Sequence, residues 1–423
     1  MKSKLIRSDA PQPVAVYSEA MTAGPLVFAA GQIASDSRTG IPPEARVDPA
    51  FPYYGSDIKR QTGYILNNLS NTFEAAGSSL DHVIKAQVFL TDLNHFFAFD
   101  EVWKEFFKTP PPRTTVGTTG LLAPGCLIEI DLIAYRPRQG WKREVIHSKA
   151  PRPLANYSEA FRVGDFVFAA GQIASDYKTG IPSEAGVDPA FPYYGSDIKR
   201  QTDYILNNLS KTFEAAGTSL DNVVKAQVFL TDLNHFFAFD EVWRSFFKTP
   251  PPRTTVGTTG LLVPGCLVEI DLIAYVPRKG LKRQVIRSKA PRPLANYSEA
   301  FRVGDFVFAA GQIASDYKTG IPPEARVDPA FPYYGSDIKR QTDYILNNLS
   351  KTFEAAGTSL DHVVKAQVFL AEDELEALYV MAAARDEVWQ SFFKTPPPRT
   401  TVGTTGLLVP GCLIEVDLIG LVG

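Results

Sequence analysis

The sequence predicts an α+β domain that is written three times in tandem. The main observation is an internal repeat with a constant offset of 140 residues, which is too long for a solenoid unit and suits a complete domain. The second observation is that each copy alternates apolar strand patterns with two amphipathic helix patterns. The segment VFAAGQIASD begins at Val27, Val167 and Val307, and the segment DPAFPYYGSDIKRQT begins at Asp48, Asp188 and Asp328.

We place the three domains at residues 1–136, 145–276 and 285–423, where the repeated segments begin and end. The linkers between them, 136–144 and 276–284, are rich in Pro, Gly, Lys and Arg, as exposed linkers usually are. Each linker reaches roughly 30 Å when extended, so each domain must end near the start of the next. Because the copies are almost identical, we interpret the tandem arrangement as the product of engineering.

The first half of each repeat predicts a strand, a loop and a helix. In repeat 1, residues 26–33 form the strand and residues 40–54 form a proline-rich loop. Ser56 stands at the N-cap of the helix, and Gly77 ends it in the C′ position. The helix presents one apolar stripe, formed by Ile58, Ile65, Leu69 and Phe73.

The second half predicts a strand, a second helix and two closing strands. The helix covers about residues 94–107, and three prolines at 110–112 stop it and force extended backbone. The closing strands are residues 113–119 and 127–135. Alternation along the strand before the helix predicts one shared face for Ile84, Ala86, Val88 and Leu90.

The last strand has two different faces. Ile128, Ile130 and Leu132 lie on one face, and Glu129 and Asp131 lie on the other. Two helices can cover only the apolar face. The second face is too polar for a dry core and too apolar for open water, so it suits a wet interface or a ligand pocket. Three such sheets can satisfy one another by closing in a ring, as cyclic symmetry allows.

Composition, charge and sequence pattern argue against several classes of protein. A net charge of −3 and a pI near 6 argue against a surface for nucleic acid or anionic membrane. We also expect no signal peptide and no membrane span, since no apolar run approaches the necessary length. One cysteine per repeat indicates reduced, packed thiols in a cytoplasmic protein. These cysteines are Cys126, Cys266 and Cys412.

No metal, nucleotide or other cofactor is predicted. The five histidines do not recur at matching sites in all three copies, which excludes a shared histidine-based site and leaves no metal cluster. Neither a GxGxxG nor a GxxxxGK[ST] phosphate loop occurs.

Two charged residues in each repeat are candidates for chemistry. Arg113 opens a strand directly after the three prolines, so its guanidinium could be held to bind a carboxylate; the alternative is an arginine in a surface salt bridge. Glu129 could act as a general base or position a water; the alternative is an ion pair with Lys85 or with a neighbouring repeat. The equivalent residues are Arg253 and Arg399, and Glu269 and Glu415.

Three further positions could contact a ligand. Thr115 shares a strand face with the arginine, so its hydroxyl could bind substrate or only fill a β position. Gly31 allows close backbone approach, although a bulge is the commoner reason for such a glycine. Tyr17 could stack on a ligand or pack. Their equivalents are Thr255 and Thr401, Gly171 and Gly311, and Tyr157 and Tyr297.

Together these motifs resemble the Rid family, also called YjgF, of enamine and imine deaminases. The segments that carry the resemblance are YSEA, VFAAGQIASDSRTG, QTGYILNNLSNTFEAAGSSLDHVIKAQVFLTDLNHF, PPRTTV and CLIEIDLIAY, which cover each repeat from end to end. The resemblance implies a chorismate-mutase-like mixed sheet with two helices on one face. It also implies a trimer with sheets facing inward and pockets between subunits. We therefore expect a monomeric chain that forms a pseudo-threefold trimer through interfaces between its own repeats.

The resemblance also implies roles. Arg113 matches the arginine that holds the substrate carboxylate, and Glu129 matches the acid that positions the hydrolytic water. Gly31 and Thr115 match positions that line the pocket, and Tyr17 matches the tyrosine at its mouth. The implied partner is a small carboxylate-bearing enamine or imine of the 2-aminoacrylate type, which water converts to a 2-keto acid and ammonia without a cofactor.

One position departs from the family pattern. Asp100 stands where many deaminases have Asn, and Asp240 and Asp386 do so in the other repeats. An added carboxylate near the pocket is expected to repel anionic substrates, which puts the substrate in doubt.

Repeat 3 differs from the others in one segment. AEDELEALYVMAAAR, residues 371–385, replaces TDLNHFFAF and is rich in helix-forming residues. We predict that it extends the second helix at its N-terminus, with Asp373 and Glu376 in a capping-box-like start; the alternative is a disordered insert. The face of this helix is formed by Leu375, Leu378, Ala382, Arg385, Trp389 and Phe392.

Two other functions compete with the deaminase. An engineered scaffold would use the replaced segment to remodel a pocket or a binding site. RNA cleavage, known for some relatives of the Rid family, is disfavoured by the acidic charge and by the lack of a histidine pair.

Overall fold

A computed structural model describes most of the chain. It covers residues 1–423 apart from 12–14, 37–39, 51–54, 152–154, 177–179, 188–189, 191–194, 292–294, 317–319, 329, 331–335 and 372–374, and it describes only the backbone of residues 375–377 and 379.

Each repeat folds as a mixed sheet with two long helices, which confirms the predicted α+β class. The elements of repeat 1 are β1 Ser3–Ile6, β2 Ala20–Ala23, β3 Leu26–Ala29, β4 Gln32–Ile33, α1 Asp57–Ala75, β5 Val83–Leu90, α2 Phe96–Phe106, β6 Arg113–Gly117 and β7 Ile128–Tyr135. The strand order is β1-β2-β3-β7-β5-β6, and β4 also pairs with β7. Among the strand pairs described in repeat 1, β5–β6 is parallel and the others are antiparallel.

Repeats 2 and 3 have the same order of elements. Repeat 2 consists of β8 Arg143–Ile146, β9 Ala160–Val163, β10 Phe166–Ala169, β11 Gln172–Ile173, α3 Asp197–Ala215, β12 Val223–Leu230, α4 Phe236–Phe246, β13 Arg253–Gly257 and β14 Val268–Tyr275. Repeat 3 consists of β15 Arg283–Ile286, β16 Ala300–Val303, β17 Phe306–Ala309, β18 Gln312–Ile313, α5 Asp337–Ala355, β19 Val363–Ala371, α6 Leu375–Phe392, β20 Arg399–Thr404 and β21 Ile414–Leu421.

The strand predicted at residues 26–33 is two strands. The break falls at Ala30 and Gly31, where the register against β7 shifts by one residue between Phe28, opposite Ile133, and Gln32, opposite Ile130. The prediction also missed the short strands β1 and β2. Strand β8 begins at Arg143, so the last residues assigned to the first linker already belong to a sheet.

The shared face predicted for β5 was wrong at its first residue. Ala86, Val88 and Leu90 pack in the core beneath the helices, whereas Ile84 packs in a separate cluster on the opposite face. The reason is a β-bulge against β7, since the register shifts between Val83 and Lys85. The extra residue reverses the alternation on its N-terminal side.

Helix α1 begins and ends close to the predicted positions. Ser56 is the N-cap residue, but its hydroxyl makes no capping hydrogen bond. The Asp57 carboxylate accepts the Val47 amide at 2.6 Å and so ties the preceding loop to the helix start. Gly77 adopts a φ of 74°, the left-handed conformation predicted for the C′ residue.

The inner faces of the three sheets meet one another. An apolar cluster joins Phe28, Phe168 and Phe308 with residues of all three repeats. The ring centroids of Phe89 and Phe229 are 6.4 Å apart, and the two rings meet edge to face. The ring of Phe369 packs edge to face against both. The polar-and-apolar face that alternation identified is therefore a contact face between repeats.

Buried polar contacts between the repeats run in one direction around a closed cycle. Lys85 of repeat 1 forms an ion pair of 2.7 Å with Asp271 of repeat 2, and both side chains are almost fully buried. The equivalent pairs are Lys225 with Asp417 of repeat 3, at 2.5 Å, and Lys365 with Asp131 of repeat 1, at 2.7 Å. Each repeat therefore supplies a lysine to the next and an aspartate to the one before.

A ring of three glutamine side chains, one from each repeat, also joins the repeats. Gln87 donates to Gln227, Gln227 donates to Gln367, and Gln367 donates back to Gln87. Because each amide both donates and accepts within the ring, these buried groups satisfy one another.

The replaced segment of repeat 3 is helical from Leu375 onward, as predicted, whereas its first residue, Ala371, ends β19. Helix α6 has 18 residues, whereas α2 and α4 have 11 each. Leu378, Ala382, Arg385 and Trp389 are buried on one face, and Phe392 is partly buried. The proposed cap at Asp373 and Glu376 and the Leu375 side chain lie outside the described residues.

Within the described part of the chain, no helix combines the length and the hydrophobicity that a membrane-spanning segment needs. The same residues contain no group of three or more His, Cys, Asp or Glu placed to hold a metal ion. The cysteines are buried, and burial raises the pKa of the Cys126 thiol to about 12.

Candidate functional site

Arg113 is a buried arginine, not the surface arginine of the alternative interpretation. It begins β6, and the preceding Pro112 anchors the strand by accepting the Ala86 amide at 2.9 Å. Only 2% of Arg113 is exposed. Its Nη2 lies 2.9 Å from the Asp100 Oδ1, and Lys104 binds the other oxygen of this carboxylate at 3.0 Å. Asp100 therefore holds the arginine, and the expected repulsion of an anionic ligand stays a prediction.

Aromatic rings enclose the guanidinium. The Arg113 Cζ lies 5.5 Å from the Phe96 ring centroid, 4.9 Å from Phe99 and 5.0 Å from Trp103. We call these three rings the aromatic wall. Repeat 2 has the same wall around Arg253, formed by Phe236, Phe239 and Trp243. The aromatic wall was not predicted, although its signal, FFAFDEVW, stands in the sequence of both repeats.

The arginines keep donors that no residue of the described chain satisfies. The Nε and Nη1 atoms of Arg113 and of Arg253 are buried and have no hydrogen-bond partner. A buried unsatisfied donor is costly, and a guanidinium presents its donors as a planar fork. These atoms can therefore bind a carboxylate or another planar anion.

The next repeat completes each site. The ring of Tyr157, from repeat 2, lies 5.9 Å from the Arg113 Cζ. The Thr115 amide donates to Glu269, also from repeat 2. The Glu269 charge acts on Arg113 as well. Arg113 and Thr115 thus face the glutamate and tyrosine of the following repeat.

The other two sites follow the same rule. At the site between repeats 3 and 1, the Thr401 amide donates to the Glu129 Oε1 at 3.4 Å. The members of the three sites are Arg113, Thr115, Tyr157, Gly171 and Glu269; Arg253, Thr255, Tyr297, Gly311 and Glu415; and Arg399, Thr401, Tyr17, Gly31 and Glu129. The structure thus brings together every predicted site residue, always from two repeats.

The glutamates are buried, and no lysine of the described chain forms an ion pair with them. Glu129 is 4% exposed, and its pKa rises to about 8, first because of burial and then because of the nearby Asp131 charge. The alternative interpretation, an ion pair with Lys85, is wrong, because Lys85 pairs with Asp271. Burial raises the pKa of Glu269 and of Glu415 to about 8 as well.

The glycine at each site gives the glutamate room. A Cβ atom at Gly171 would collide with the Glu269 carboxylate and would lie 2.6 Å from the Thr114 Oγ1. Gly31 and Gly311 are crowded in the same way by Glu129 and Glu415. The glycine is needed for close approach across the repeat interface.

A threonine and a tyrosine add hydrogen-bonding groups to each site. The Thr255 hydroxyl is buried and has no hydrogen-bond partner among the described residues. Burial raises the pKa of Tyr157 and Tyr297 well above its usual range, so both phenols stay neutral. A neutral phenol and a free hydroxyl can each donate a hydrogen bond to a ligand.

The site between repeats 3 and 1 has a different wall. Arg385 occupies the position of Phe99, and it donates to the Asp386 Oδ1 from Nε at 3.0 Å and from Nη2 at 2.8 Å. The Nη2 of Arg399 donates to the other Asp386 oxygen at 3.1 Å. Arg385 also donates to the Thr401 hydroxyl oxygen at 3.2 Å. The equivalent hydroxyl of Thr255 has no hydrogen-bond partner among the described residues.

Sequence comparison identifies relatives of each repeat. A family model described as Endoribonuclease L-PSP matches residues 7–136, 147–276 and 287–422. A RutC family protein of Pyrococcus abyssi is 37% identical over 134 residues, which are 32% of this chain and 97% of that protein. A RutC family protein of Aquifex aeolicus is 33% identical over 135 residues, which are 31% of this chain and 98% of that protein.

Solved structures that are similar to parts of this chain include a RidA and a chorismatase. The crystal structure of RidA from the Antarctic bacterium Psychrobacter sp. is 34% identical, and the match covers 31% of this chain and 99% of RidA with a TM-score of 0.27. A chorismatase crystal structure is 13% identical with a TM-score of 0.51, and that match covers 80% of this chain and 93% of the chorismatase. At this identity the likeness concerns the fold alone, and it extends over more than two repeats.

Proposed function

Because the chain belongs to the Endoribonuclease L-PSP family, which includes the Rid and RutC proteins, we propose that it hydrolyses small enamine and imine acids. The products are a 2-keto acid and ammonia. The observation that carries this proposal is a buried arginine with unpaired donors, Arg113 or Arg253, that faces a buried glutamate of raised pKa on the following repeat. A carboxylate on the arginine places the adjacent carbon of a 2-imino acid toward that glutamate.

The reaction needs one water and no redox step. A 2-aminoacrylate-type enamine first tautomerises to the imine. Water then adds to the imine carbon while its proton passes to the glutamate carboxylate and on to nitrogen. The carbon–nitrogen bond breaks, ammonia leaves, and the carbinol oxygen becomes the keto oxygen. The arginine neutralises the substrate carboxylate, and the buried site excludes other water.

A coupled assay tests the proposal directly. 2-Aminoacrylate is generated in situ, and pyruvate and ammonia are followed with and without the protein. We expect the protein to raise the rate of both products in equal amounts. Release no faster than in buffer would contradict the proposal.

The raised pKa of the glutamates predicts a pH dependence. A carboxyl group with a pKa of about 8 is mostly protonated at neutral pH, and only the ionised form accepts a proton from water. We therefore expect kcat/KM to rise with pH and to level off above about pH 8, after the buffer rate is subtracted. Replacement of Glu129, Glu269 and Glu415 by Gln should leave a lower, flat profile. A rate that falls through pH 8 would show that the protonated form is active.

A further inference from the structure

The pocket between repeats 3 and 1 has smaller side chains at several lining positions than the sequence places at its two counterparts. A cavity of about 470 Å³ opens there beside Tyr17 and Asp386. This volume is in the range of pockets that enclose drug-sized ligands. Tyr17 lies 5.7 Å from the Arg399 Cζ, and Asp386 binds that arginine, so the cavity adjoins the carboxylate-binding group.

Four lining positions set this pocket apart. Ala382 and Ala383 stand where repeats 1 and 2 have two consecutive phenylalanines, and Val16 stands where the other pockets have asparagine. Ala123 replaces a valine. Each difference makes the lining smaller or more apolar. The counterparts of these residues are Phe96, Phe97, Asn156 and Val263 at the pocket between repeats 1 and 2, and Phe236, Phe237, Asn296 and Val409 at the pocket between repeats 2 and 3.

The second cation near the aspartate is more deeply buried at this pocket than at the other two. Lys104, the second cation on Asp100, has a 56% exposed side chain, and Gln390 occupies its position in repeat 3. There the second cation on the aspartate is Arg385, which is fully buried. Buried charges are screened less by water and salt, so an anion at Arg399 is attracted more strongly than at the other sites.

We propose that the pocket between repeats 3 and 1 binds a 2-keto or 2-imino monocarboxylate with an apolar side chain of aromatic size. Its carboxylate binds Arg399, and its side chain fills the cavity between Val16 and Ala382. The other two pockets keep the buried Phe96 and Phe236 at the position of Ala382 and take small acids. The inference rests on the proposed function for the role of the arginine, and it adds a different ligand for one of three sites.

Calorimetric titration tests this inference without requiring catalysis. The probes are phenylpyruvate and pyruvate, which carry the same 2-keto carboxylate with and without a benzyl group. We expect one phenylpyruvate site per chain at least tenfold tighter than any other, and no such site for pyruvate. Arg399→Ala should remove it, and the surface variant Lys394→Ala should retain it.

Exchange of the wall residues is the deciding comparison. Val16→Asn with Ala382→Phe restores the residues of the other pockets and should weaken phenylpyruvate at least tenfold. If the double variant fails to fold, Val16→Asn alone is tested, and it should weaken phenylpyruvate binding at least threefold. Three equal phenylpyruvate sites, or unchanged binding in a folded variant, would overturn the inference. Selective binding by a chain without deaminase activity would instead overturn the proposed function alone.

Discussion

Replacement of Arg113, Arg253 and Arg399 together is expected to abolish deamination. Each arginine is the buried cation that faces the ligand, and loss of one partner of a buried charge pair costs about 2–5 kcal/mol, or roughly 30- to 5,000-fold in kcat/KM. The triple Arg→Ala variant should therefore approach the buffer rate. The measurement is kcat/KM for imine formed in situ, compared with the surface variant Arg278→Ala.

A control is needed because each arginine also neutralises a buried aspartate. Asp100 is 4% exposed and would lose its 2.9 Å ion pair with Arg113. Each Arg→Ala is therefore combined with Asp→Asn, which removes the stranded charge. If this folded six-site variant keeps more than a tenth of the parent activity, the arginines do not hold the substrate.

Lys85→Met is expected to cost about 3–5 kcal/mol of unfolding free energy, because it leaves the Asp271 carboxylate buried and without its cation. The two groups lie 2.7 Å apart at the interface of repeats 1 and 2. Lys85 also donates to the Ala169 carbonyl oxygen, so the variant leaves a second polar group unsatisfied. Urea unfolding measured by circular dichroism gives the size of the loss.

The matched variant is Lys85→Met with Asp271→Asn. Asparagine keeps an oxygen for the Thr114 hydroxyl, which lies 2.6 Å from the Asp271 Oδ2, but carries no charge. This double variant should recover most of the lost stability. A single variant that costs less than about 1 kcal/mol would show that the interface is wet or open in solution.

Local patterns predicted most of the fold of each repeat. The apolar stripe of α1, its glycine end and the alternation of β7 depend on neighbouring residues, so the sequence contains them. The face of Ile84 could not be predicted, because the bulge at Val83–Lys85 depends on the register of a distant strand. Strands β1 and β2 were missed because each has only four residues.

The site was predicted in its residue types but not in its pairings. Arg113 and Glu129 stood out as charges in apolar strands, which is a local signal. That Arg113 faces Glu269 and not the glutamate of its own repeat depends on how the sheets meet. The role of Asp100 could not be predicted either, because its ion pair with Arg113 is seen only in the structure.

The central claim is that each site takes its arginine from one repeat and its glutamate from the next. Variants in an Arg399→Ala background test it, because only the two similar sites then remain. Addition of Arg113→Ala and Glu269→Gln removes one site, and about half of the background activity should survive. Addition of Arg113→Ala and Glu415→Gln should remove both sites and all activity. If each arginine worked with the glutamate of its own repeat, the two results would be exchanged, and that outcome would contradict the account.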